Sequence, residues 1–130
     1  MTPRVSIHTR DGIAIVAFTG PLLLGHGADL LRSSLRRFSR QRALLDLRGV
    51  TRLDSSALGE LVGAYAQSEA VGGELKLLQP GRRVQDLLVL TKLCTVFEVY
   101  EDERAAVESF LAPWPPQGPS HGRAWFAAAA

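Results

Sequence analysis

A single cysteine, Cys94, stands among the 130 residues, so no intrachain disulfide can form and a reducing setting is expected. No apolar run approaches the roughly 20 residues that cross a bilayer. The segment Met1-Thr2-Pro3-Arg4 has no apolar stretch of the kind that marks a signal peptide. The expectation is a cytoplasmic protein without direct membrane insertion. An excess of one charge is also missing. Fifteen Lys and Arg face 13 Asp and Glu, a formal net charge of +2, and the arginines are not interleaved with aromatics as in a nucleic-acid reader. His8, His26 and His121 are far apart and Cys94 is isolated, so no metal-ligand spacing exists. No Gly-rich loop with Lys-Ser or Lys-Thr is present to cradle a triphosphate. No serine sits in a Gly-x-Ser-x-Gly elbow with a histidine following in a folded segment, which removes a serine hydrolase. No metal, no cofactor, no nucleic acid and no catalysis are therefore expected.

What is present is an alternation of strand-like and helix-like runs. Val5-Ser6-Ile7 and Ile13–Phe18 flank Arg10-Asp11-Gly12, the pattern of an antiparallel hairpin. After a break at Gly20-Pro21, Ala28, Leu31, Leu35 and Phe38 recur at helical spacing. Ala43–Leu47 is a short, nearly continuous apolar run, as in a strand covered on both faces. Leu58, Leu61, Val62 and Tyr65 mark a helix that Gly72-Gly73 ends. A strand over 74–78, a helix over 83–90, a strand over 96–100 and a helix over 103–111 follow. Each right-handed crossover returns the chain in the same direction. The fold class is therefore α/β: a mixed sheet that begins with an antiparallel hairpin, continues in parallel strands and carries about four helices. The length suits one domain, placed at 1–112. The Pro-rich segment from Pro113, with few apolar side chains to offset ordering entropy, reads as a disordered tail over 113–130.

The segment Leu53-Asp54-Ser55-Ser56-Ala57-Leu58-Gly59 joins the Ala43–Leu47 strand to the following helix. It sets a short hydroxyl where backbone N–H groups lack intrahelical partners and the macrodipole is positive. Local chemistry alone is met by ordinary N-capping, worth about 1 kcal/mol. The surroundings add more. Leu44-Leu45-Asp46-Leu47-Arg48-Gly49-Val50-Thr51-Arg52-Leu53 running into that segment, Gly72-Gly73-Glu74-Leu75-Lys76-Leu77, and Val84-Gln85-Asp86-Leu87-Leu88 with Leu93 and Val96-Phe97 together resemble the STAS domain of anti-sigma factor antagonists, over roughly residues 4 to 112.

The resemblance implies a protein that a partner kinase phosphorylates on the serine directly after the aspartate, here Ser55, with Ser56 the less favoured acceptor. It implies an ATP-binding serine kinase anti-sigma factor as partner, a sigma factor controlled indirectly, and a phosphatase that resets the switch. Asp54 would shape the turn, Asp46 would brace the strand end, and Gly59 and Gly63 would line a docking strip flanked by Glu60 and Ala64. Close packing inside the domain is an equal reading of the two glycines. Arg32, Arg36, Arg37 and Arg40 form a basic stripe on the first helix, read as a solvated face before a docking face, and Cys94 reads as a small buried hydrophobe. Two positions depart from the family pattern. Leu23 replaces the aspartate of a loop that contributes to the kinase interface, and Ala57 stands where glycine is common. The loss of that acid keeps an alternative open: a non-switching subunit of a signalling assembly or transporter complex.

Overall fold

In the computed structural model, which describes residues 2–111, the chain forms β1 (Arg4–Arg10), β2 (Ile13–Leu22), α1 (His26–Arg36), β3 (Arg42–Leu53), α2 (Ser55–Val71), β4 (Glu74–Leu78), α3 (Arg82–Leu90), β5 (Val99–Tyr100) and α4 (Glu103–Leu111). The expected tail over 113–130 and the boundary at 112 lie outside the described residues. The strands line up in chain order, β1 antiparallel to β2 and every later pair parallel. Asp11 and Gly12 take φ of 53° and 79°. Two positive φ values in a two-residue loop match the right-handed twist of the strands they join.

Because each crossover advances the chain by one strand in the same direction, right-handed connections place α1, α2 and α3 on one face of the sheet. That face holds the main core: Val16, Phe18, Leu45 and Leu77 of the sheet meet Leu31 and Leu35 of α1, Leu58 and Leu61 of α2, and Val84 and Leu88 of α3. The opposite face holds Ile13, Ile15, Leu44 and Tyr100 under Ala106, Val107 and Phe110 of α4. Polar contacts fasten α4 as well. Lys76, buried on β4, donates to Ser109 Oγ at 2.9 Å, pairs with Glu98 at 3.3 Å and lies 4.5 Å from the Phe110 ring centroid.

Several boundaries differ from the sequence expectation. β2 does not stop at Gly20-Pro21 but runs to Leu22, through register shifts between Ala17 and Thr19 and between Gly20 and Pro21. The proline is tolerated there because it lies beyond Thr19, the last β2 residue that pairs with β1. β3 likewise continues past Leu47 to Leu53. Gly49 permits this, since a Cβ on it would come within 2.6 Å of Thr19 Cγ2. α1 ends at Arg36, leaving Phe38 in the turn beyond it. The strand expected over 96–100 shrinks to Val99–Tyr100, preceded by a 3-10 turn at Leu93–Thr95 that follows Lys92 at φ 61°.

Gly72-Gly73 ends α2 as expected, but the two glycines do different work. Gly72 takes φ 86° at the helix terminus. Gly73 donates to Ser68 O at 2.8 Å, and a Cβ on it would collide with the Ser39 carbonyl and come within 3.0 Å of Gln41 O. Both obstacles are backbone and cannot rotate away. Gly73→Ala is therefore expected to destabilise the domain by about 1–3 kcal/mol, read as a lowered urea midpoint with an unchanged slope.

Candidate functional site

The long β3 delivers the chain to Asp54 beside the end of β2, where Leu22 pairs with Leu53. The site is thus at the carboxyl ends of parallel strands, the usual place for ligand and partner contacts in α/β sheets. Asp54 has extended backbone, φ −102° and ψ −178°, and Ser55 is the first helical residue. Asp54 Oδ1 accepts from Ala57 N at 3.0 Å, and its Oδ2 accepts from Leu24 N at 2.8 Å. Its own N–H donates to Leu22 O at 3.3 Å. The Ala57 N–H first, then that of Leu24, hold the Asp54 carboxyl below the ordinary aspartate range, against a smaller opposing effect of desolvation.

Capping is thus the work of Asp54. Ser55 is exposed, Ser56 is half-buried, and neither hydroxyl makes a hydrogen bond among the described residues. A phosphate on Ser55 Oγ would sit at the positive end of a 17-residue helix with no existing bond to break. The loop beside it carries Leu23, half-buried, whose carbonyl accepts from Ala28 N at 2.9 Å. Leu24 next to it is 78% exposed. Sequence reasoning singled out Leu23 but missed Leu24. In the uniform run Leu22-Leu23-Leu24 no pattern tells which leucine turns outward, and the bond to Asp54 that fixes the answer spans 30 residues.

Gly59 and Gly63 are exposed, one turn apart on α2, and a Cβ at either would meet nothing within 4 Å. Close packing inside the domain therefore does not account for them. Glu60 pairs with Arg32 of α1 at 3.4 Å, and Arg32 also pairs with Asp29 at 3.1 Å. Of the stripe expected on the first helix, Arg37 and Arg40 lie past the end of α1, and all four arginines are exposed. Between α1 and α2 lies a groove of about 490 Å³, lined by Arg32, Leu35, Arg36, Glu60, Gly63 and Ala64 with their neighbours.

Asp46 is a correction. β3 runs seven residues past it, so it braces no strand end, and it shares the sheet face of Leu44, under α4 and away from α2. There its carboxylate takes the Arg48 guanidinium at 2.7 Å, in a chain that continues through Glu103 to Arg10. Cys94 is half-buried rather than buried, in the 3-10 turn that precedes the shortened last strand. No group of three His, Cys, Asp or Glu able to hold a metal occurs among the described residues, and none of the described helices is long and apolar enough to cross a membrane.

The family model for the STAS domain matches residues 4–106. An anti-sigma F factor antagonist of Paenibacillus polymyxa is 26% identical over 107 residues, which cover 79% of this chain and 91% of that protein. Of solved structures, a candidate anti-sigma factor antagonist of Thermotoga maritima is similar with a TM-score of 0.76 at 23% identity, covering 83% of this chain and 95% of that one. The Bacillus cell fate determinant SpoIIAA in its phosphorylated form reaches 0.64 at 17% identity, over 82% and 99% of the two chains, and its unphosphorylated form also reaches 0.64, at 16% identity over 85% and 100%. At these identities the solved structures bear on the fold.

Asp54 with a lowered folded-state pKa contributes stability that is complete above the unfolded aspartate range and is lost as pH falls through the folded value. Asp54→Ala should cost about 1–2 kcal/mol at pH 7, and the gap to wild type in urea unfolding should close towards pH 2. Gly59→Ala and Gly63→Ala should each stabilise the domain by roughly 0.5–1 kcal/mol, seen as raised thermal midpoints.

Proposed function

The chain belongs to the STAS domain family, whose anti-sigma factor antagonists are non-enzymatic binding proteins, and on that footing we propose that it captures a serine kinase anti-sigma factor and is released from it by phosphorylation of Ser55. The observation that carries this reading is the division of labour at the start of α2. Asp54 alone supplies the cap, so the exposed Ser55 hydroxyl has no part in holding the fold. The Paenibacillus polymyxa relative, an anti-sigma F factor antagonist, supports the assignment of partner class.

The chemistry divides between two proteins. The kinase and its ATP perform the transfer: Ser55 Oγ bonds to the γ-phosphorus, the bridge to the β-phosphate breaks, and ADP and the hydroxyl proton leave. This chain contributes the held nucleophile, fixed by the cap at its flank. The modification adds about −1.5 to −2 charges, which the helix dipole stabilises, so the fold persists. The equal similarity to phosphorylated and unphosphorylated SpoIIAA is in keeping with that. A partner surface laid over the helix start would have to desolvate the new dianion, at a cost of several kcal/mol. The unphosphorylated form would therefore bind the kinase, free a sigma factor and allow transcription, and a phosphatase would restore it. With an ATP-dependent kinase as its partner, the cycle would run in the cytoplasm. Gly59, Glu60 and Gly63 extend the contact along α2, and Leu23 and Leu24 border it where the family carries an acid.

Leucine at that border also favours the second reading, a constant subunit of a signalling assembly or transporter complex. Affinity capture from native lysate separates the two. Wild type and Ser55→Ala should retain a small ATP-binding kinase and Ser55→Asp should lose it, while purified kinase with ATP should add one phosphoryl group to wild type and none to Ser55→Ala. Recovery of the same transporter or scaffold component by all three baits, without a kinase, would overturn the switch.

A further inference from the structure

The groove between α1 and α2 has a chemistry that the switch at Ser55 does not use. Leu35 and Ala64 give its floor apolar surface beside the polar Ser39 and Gln67, and Gly63 keeps one wall low. The two arginines in it differ. Arg32 is already balanced, between Asp29 at 3.1 Å and Glu60 at 3.4 Å. Arg36, one turn further along α1, is exposed and makes no ion pair among the described residues. A basic ligand would be repelled by Arg36 and would find Glu60 engaged. An acidic one would gain a guanidinium and could lay its aliphatic carbons on Leu35 and Ala64.

We propose that this groove receives an acidic peptide segment of the docking partner, with a carboxylate on Arg36. The inference deepens the docking reading of α2 and rests on it for the partner's identity. Charge complementarity chooses the occupant: one unbalanced cation beside apolar surface, next to a neutralised one. Opposite charges of this kind set which partner is accepted and how fast it is found more than how tightly it is held.

The test uses the ¹⁵N-labelled full chain at low ionic strength, titrated with a short glutamate- and alanine-rich peptide, a lysine- and alanine-rich peptide of equal length, and a short DNA duplex. The glutamate peptide should move the amide signals of Arg36, Gly63, Ala64 and Gln67. Arg36→Glu should weaken that binding by about three- to fivefold or more, and Gly63→Gln, whose side chain fills the groove, should weaken it too. Both positions face solvent, and unchanged signals elsewhere establish that each variant folds. Ser55→Ala should bind the peptide as wild type does. A wild-type chain that captures no kinase but still binds the glutamate peptide at these residues would overturn the switch and leave the groove. The proposal is overturned if the glutamate peptide moves nothing, if its shifts spread equally to Arg4, Arg10, Arg82 and Arg83, if Arg36→Glu binds unchanged, or if the lysine peptide or the duplex moves the groove signals instead.

Discussion

Both oxygens of the Asp54 carboxylate are spent on backbone N–H groups, one on α2 and one on the loop that follows β2. Those two elements are 30 residues apart in the chain, and the carboxylate makes one rigid corner of them. Without it the helix start would lose its cap and the Leu24 N–H its acceptor, and the serine would be presented at no fixed angle to the loop. Everything proposed for the site depends on this corner being built before any partner arrives. Pre-ordering of this kind lowers the entropy that association must overcome.

The sheet makes the corner possible by its order. Strands that add one after another in a single direction, with crossovers of one hand, leave three helices on one face and only α4 on the other. The two faces are then held by different means. The three-helix face is almost entirely apolar. The α4 face mixes Phe110 and Val107 with the buried Lys76 and with the Arg10, Glu103, Arg48 and Asp46 chain. Charge is thus used structurally on the face away from α2, while the face around α2 leaves Arg36 unspent.

Much of this was legible in the residues. Helical spacing located α1 and α2, the Asp11-Gly12 turn set the antiparallel start, and Asp54-Ser55 before an apolar helix pointed to the helix start proposed as the site. What periodicity missed were features fixed by partners distant in sequence. The extensions of β2 and β3 depend on Gly49 fitting against Thr19, which no local pattern reveals. The strand expected over 96–100 shortened to Val99–Tyr100 because the turn that begins at Leu93 runs on into its first residues, and local apolarity does not reveal that. Asp46 was expected to brace the strand end because the apolar run stops at Leu47, but β3 continues to Leu53 and strand alternation puts Asp46 on the α4 face. The glycines Gly59 and Gly63 could be located from sequence, but the empty space around them could not.

The placement of α4 has a consequence for assembly. It is the last described element, and it covers the side of the sheet that α2 does not touch. A fusion partner, a tether or a second module joined behind it would therefore begin on the far side of the sheet. With recognition proposed at α2, an attachment behind α4 would leave that proposed binding face open.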